Sequence, residues 1–216
     1  MQISVKSDVD KALKSISRFK RKQMPFAAAL GLSMTAKKVA KVEQRMMVKK
    51  LDRPTPFTIK GVKWQGAKKA DFKLGKLRRV YVMDKQAQYL HLQIEGGTRT
   101  PNGTAIPVPT RNLKLNKYGN MIGGRNRIQR LLKKKNVFQG TINGVAGIWQ
   151  RPKQGKQSGG GFGTTGASGL KLLVAYENTV TYQPRFDFYG IGERSVRKNI
   201  GIEMDKAIGR ALKSAK

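Results

Sequence analysis

PFAAALGLSMTAKKVAKVEQRMMVKKLDRPTPF, residues 25–57, decides how the rest of the chain is read. Pro25 suits the first turn of a helix, where its missing N–H has no intrahelical partner to lose. Phe26, Ala29, Leu30, Ala36, Val39, Ala40, Val42, Met46 and Met47 follow at three- and four-residue steps. Lys37, Lys38, Lys41, Arg45 and Lys49 fill the other side. The spacing predicts an amphipathic helix with a small-residue apolar face. At 1.5 Å per residue a helix of about 25 residues is roughly 37 Å long. Asp52-Arg53-Pro54-Thr55-Pro56 ends it, because a residue before proline avoids the α region. Phe57 to Ile59 then reads as extended.

Working outward, Ser7 to Asp10 opens a shorter helix with a capping-box pattern, and Leu13, Ile16 and Phe19 form its apolar face. Residues 61–75 read as irregular and lysine-rich around Trp64. Leu77 to Met83 reads as a strand. Gln86 to Ile94 is a short helix stopped by Glu95-Gly96-Gly97, with glycine available for a left-handed cap. Thr104 to Pro109 must be extended, and Pro107 and Pro109 confine it to a sheet edge or a covering arm. Residues 98–113 as a whole read as an extended arm. Lys117 to Met121 is a turn, and residues 125–135 are a short basic helix. Val137–Ile142 and Val145–Gln150 flank Asn143-Gly144, which supplies the two positive φ angles of a type I′ hairpin turn. Residues 153–169 form a glycine-rich loop. Leu170 to Tyr176 is a further strand. The last helix has Ile191, Val196, Ile200, Met204, Ala207, Ile208 and Leu212 as its expected apolar face.

The predicted fold class is α+β. Long N- and C-terminal helices pack on a small, mostly antiparallel sheet built from residues 77–83, 137–150 and 170–176, with extended arms or loops. The 216 residues read as a single domain.

Charge is the strongest compositional fact. Lys and Arg number 45 against 12 Asp and Glu, a net charge of +33. A chain so charged needs an anionic neighbour, whether nucleic acid, an acidic protein surface or an anionic membrane. With no cysteine there is neither disulfide nor thiolate chemistry. No apolar run approaches the ~18 residues of a membrane span, so no membrane-spanning segment is expected.

Catalytic patterns are lacking. His91 is the one histidine and cannot build a multi-histidine metal site. It reads as a helix-surface residue. Asp52, Asp71, Asp84, Glu95, Glu177, Asp187 and Glu193 could meet around Mg²⁺ as in a nuclease, but no motif joins them. GGGFGTT at 159–165 lacks the lysine end of a phosphate loop. No enzyme activity and no cofactor is therefore expected. The candidate contacts to DNA or to an acidic partner are Arg125, Arg127, Arg130, Lys133, Lys134 and Lys135, with Arg151, Lys153 and Lys156. No helix-turn-helix, RRM, KH or zinc-finger pattern accompanies them.

Three stretches together resemble a known family. They are residues 25–59; YLHLQIEGG at 89–97 with the Ile106-Pro107-Val108-Pro109 segment and KYGNM at 117–121; and FDFYGIGERSVRKNI at 186–200 with the helix that follows. They look like the minor tail protein Z and tail-completion, or neck, proteins of tailed bacteriophages. The resemblance implies a non-enzymatic virion protein, made in the host cytoplasm and built into the tail or neck. It implies a homo-oligomeric ring, a hexamer where the tail is six-fold, around the DNA channel. Its partners would be a tail terminator, the tail tube or head-completion and adaptor proteins, and the packaged DNA. The competing reading from charge alone is a basic nucleic-acid-binding protein of ribosomal or nucleoid type.

Overall fold

The computed structural model describes residues 23–68, 79–152 and 169–214. The expected helix near Ser7 and the loop at 153–168 lie outside the described residues. The chain forms two compact units, residues 1–94 with 185–216, and residues 95–184. The class is α+β, as the sequence predicts.

In the first unit, α1 (Met24–Lys50) is the predicted long helix, with Pro25 in its first turn. It ends where Leu51 turns extended, its N–H still bonding the Met47 carbonyl at 3.0 Å. The segment after it is not extended. Thr55 caps a one-turn helix, α2 (Pro56–Ile59), by accepting the Thr58 N–H at 3.2 Å. Proline in a first helical turn favours this outcome. β1 (Val62–Trp64) pairs antiparallel with β2 (Val80–Val82) and, among the described residues, with no other strand. β2, the described strand of the expected 77–83 run, therefore does not join the hairpin sheet, which corrects the expected strand grouping. Gln44 on α1 donates to the Val62 carbonyl at 3.1 Å and fixes this ribbon. α3 (Asp84–Ile94) follows. Ala40, Met47, Val62, Leu90, Phe186 and Ile191 form the core.

The C-terminal helix α5 (Phe188–Lys213) packs along α1. Its buried row is Ile191, Ser195, Glu203, Ala207 and Ala211, which keeps Ile191 and Ala207 of the expected stripe and replaces the rest. Val196, Ile200 and Leu212 are exposed. On α1 the buried row is Ala27, Ala28, Ala29, Gly31, Thr35, Val39, Ala40, Glu43 and Met47, while Phe26 is exposed. Small side chains on both helices allow close approach. A Cβ at Gly31 would lie 3.2 Å from the Met204 Cα and press on its sulfur. Ile191 apart, the larger aliphatic residues Val196, Ile200, Ile202 and Leu212 of α5 are left exposed.

In the second unit, β3 (Gly97–Arg99) pairs with β8 (Val180–Tyr182). A four-stranded antiparallel sheet runs in the order β4 (Ile106–Pro109), β7 (Lys171–Glu177), β6 (Val145–Gln150), β5 (Val137–Ile142). β4 is thus an edge strand. Its register sets Pro107 opposite Tyr176 and Pro109 opposite Val174, and the next N–H, of Thr110, bonds the Leu173 carbonyl at 3.0 Å. The β5–β6 hairpin turns at Asn143 (φ 50°) and Gly144 (φ 77°), as the Asn-Gly pair predicts. Leu131, Val137, Ile148, Leu173 and Val174 form the core.

Candidate functional site: a cationic pocket in the second unit

The site is built from the chain between β4 and β5. Thr110 and Asn112 both donate to the Leu172 carbonyl, Asn112 at 2.9 Å, and tie the start of the loop to β7. The Asn116 side chain then accepts the N–H groups of Tyr118 at 2.9 Å and Asn120 at 3.0 Å. Gly119 takes φ 76°, and Leu115 bridges Met121. This is the predicted Lys117 to Met121 turn. Gly123 (φ 116°) and Gly124 (φ 61°) swing the chain into a 3-10 turn and then α4 (Arg127–Leu132). A Cβ at Gly123 would sit 3.1 Å from the Arg127 Cα, so a side chain there would obstruct the helix start. Leu131 points into the core, and Ile128 and Leu132 pack against the same cluster.

These elements line a half-open cavity of about 420 Å³. Leu113, Met121, Leu131, Val137 and Leu173 give it an apolar floor. Lys114, Arg127, Arg130 and Lys134 stand around it, and no carboxylate lines it. Of the residues singled out from sequence, Arg127, Arg130 and Lys134 come together here. Arg125, Lys133 and Lys135 are exposed beside the cavity but do not line it. Arg151 lies over the Phe138 ring at 4.6 Å, a cation–π contact that holds it on the hairpin. Lys153 and Lys156 lie outside the described residues. Lys114 was not singled out from sequence. Its signal was the alternation Leu113-Lys114-Leu115, which sets one lysine between two half-buried leucines.

The first unit holds charge differently. Glu203 is buried on α5 and meets Lys38 Nζ of α1 at 2.6 Å and Lys206 Nζ at 3.2 Å. The Lys38 hydrogen bond keeps its carboxyl below the usual range, with Lys206 adding to it. Asp187 caps α5 by accepting the Gly190 N–H at 2.9 Å and pairs with Arg194 at 3.0 Å. The Arg194 bond lowers its carboxyl first, the Gly190 N–H second. Glu43 is fully buried in the same helix pair, and neither carboxylate oxygen has a hydrogen-bond partner. Burial, with the Asp187 charge adding and Arg194 opposing, pushes it up to about 8. At neutral pH Glu43 is a protonated acid inside the helix seam.

Comparison with family models, with curated proteins and with solved structures finds no match. His91 is exposed on α3, its Nδ1 3.0 Å from the Ala87 carbonyl. Among the described residues no group of three or more His, Cys, Asp or Glu could hold a metal ion. No described helix is long and apolar enough to cross a membrane.

Proposed function

We propose that the chain is a structural virion protein of a tailed phage. It forms a ring at the neck or head-proximal end of the tail and completes the joint around the DNA channel. One observation carries this reading beyond the resemblance. On α5, within the FDFYGIGERSVRKNI stretch that carries part of that resemblance, Tyr189, Val196 and Ile200 share one side of the helix and are 69, 38 and 36% exposed. The α1 seam takes the small residues of α5 and leaves this apolar row open. A row of this kind is what a neighbouring copy in a ring would cover. The net charge of +33 supports the same reading, because a ring of such subunits needs acidic neighbours or DNA to offset its field. The role requires no chemical step. The ring is favoured as a hexamer, in contact with a tail terminator, tail tube or head-completion and adaptor protein.

Quantitative mass spectrometry of purified virions should find this chain at a small, fixed copy number matching one ring. An Ile200→Asp variant should fold as a monomer and fail to join heads to tails. Absence from virions, together with tight sequence-selective binding of the purified chain to free DNA or RNA, would establish the nucleic-acid-binding reading instead.

A further inference from the structure

The half-open cavity beside α4 combines two features that a diffuse basic surface does not need: an apolar floor and a cationic rim with no counter-charge. Lys114, Arg127, Arg130 and Lys134 surround it, and no carboxylate lines it. The whole of residues 95–184 contains two carboxylates, Glu95 and Glu177. Glu177 lies four residues along β7 from Leu173, about 13 Å at ~3.3 Å per residue, and Lys114 and Lys134 form no ion pair with it. Ile122 stands on the rim at 59% exposure, the most exposed large apolar side chain among the described residues of this unit.

We propose that this cavity is a docking pocket for a peptide segment of a partner protein, one in which an acidic residue neighbours a leucine-sized apolar residue. The apolar side chain occupies the floor formed by Leu113, Met121 and Leu173, with Ile122 closing over it. The carboxylate meets Arg130 and Lys134. Charge complementarity selects the acid, and the floor selects against a purely ionic ligand. A phosphate backbone has nothing to place on the floor. Single-stranded nucleic acid would need a stacking platform, and no aromatic side chain lines the cavity. The volume, about 420 Å³, falls in the range of pockets that hold side chains or small ligands. This proposal does not depend on the virion assignment.

The test uses the full chain and a short fluorescent peptide of alternating aspartate and leucine, followed by anisotropy. Salt is held at ~0.15 M, where exposed charges are screened beyond ~8 Å. The aspartate–leucine peptide should bind, and an aspartate–serine peptide of equal charge should bind at least about tenfold more weakly. Arg130→Glu with Lys134→Glu should weaken binding at least about tenfold. Ile122→Ser keeps every charge and should also weaken it. Lys133→Glu with Lys135→Glu, the same charge change outside the cavity, should leave affinity nearly unchanged. The proposal is overturned if the serine peptide binds equally, if the Lys133/Lys135 variant loses as much as the Arg130/Lys134 variant, or if oligothymidylate displaces the peptide while the Arg130/Lys134 variant retains it.

Discussion

The two units carry like charge and handle it in opposite ways. In the first, Asp52, Asp187, Glu193 and Glu203 each hold a lysine or arginine, and Glu203 holds two. Of these, Asp187 caps α5 and Glu203 ties it to α1 through Lys38, so part of the basic charge goes to positioning helices. The second unit has fourteen Lys and Arg against two carboxylates over residues 95–184. Among its described residues no ion pair forms. Arg151 and Lys117 rest on aromatic rings at 4.6 and 5.1 Å instead. Net charge does not separate the units, at 31 − 10 = +21 in the first and 14 − 2 = +12 in the second; what separates them is how the charge is used. The first unit neutralises part of its own charge, whereas the second presents its field outward, most densely around the cavity.

The contrast breaks first at Glu43, the one acid of the helix seam with no partner for its oxygens. Its folded-state value near 8 lies above the ordinary 4.5, so the folded chain binds the proton more tightly than the unfolded chain does. The stability tied to that proton is fully present below pH 4.5, falls as pH rises toward 8, and is level above it. Glu43→Gln removes the slope, which is about 1.4 kcal/mol per pH unit. The variant should therefore gain roughly 3 kcal/mol on wild type between about pH 5 and about pH 8, read from paired urea titrations. Equal pH profiles for the two proteins would show that the Glu43 carboxyl is solvated.

The next largest effect is expected in the second unit. A Cβ at Gly147 would run into the Val174 carbonyl and lie 2.8 Å from Leu172. Gly147→Val should separate β6 from β7 and cost about 3 kcal/mol. The units carry one tryptophan each, Trp64 in the first and Trp149 in the second. Trp149 fluorescence in a Trp64→Phe background should report this loss directly. Gly31→Val wedges the α1–α5 seam against Met204 and should cost about 2 kcal/mol, with the Trp64 signal moving and the peptide affinity of the second unit held. The smallest change is Thr55→Ala, which removes the cap of α2 and should lower stability by about 1 kcal/mol in thermal melts.

The parts of the fold legible in sequence are those with a local cause. α1 shows a sustained period and a proline at its start, and the hairpin shows Asn-Gly between two β-rich runs. The stop of α3 shows in Gly96, which takes φ 77° as a left-handed cap requires. α5 was legible as a helix but not in its orientation. Hydrophobicity pointed to Val196 and Ile200, yet the seam selects for small size and for a paired acid, so Ser195, Ala211 and Glu203 lie inside. β1, β3 and β8, three residues each, are too short for a period-2 pattern to emerge. Half of the cavity was legible, as the basic run at 125–135. The other half arrives from Lys114, Leu113 and Leu173, distant in the chain and gathered only by the β4–β7 pairing and the Asn116 turn.

That pairing has one more consequence. With the Thr110 N–H aimed at β7, the even-numbered residues of β4 face their partner, and Pro107 and Pro109 face the open side. Neither proline has an N–H, so a foreign strand laid along this edge meets carbonyl oxygens and no donor at those positions. The edge cannot template a growing sheet. Even at high local concentration, neighbours on this side must be chosen by side-chain shape and charge, and the unit is shielded there from fusing with its own copies.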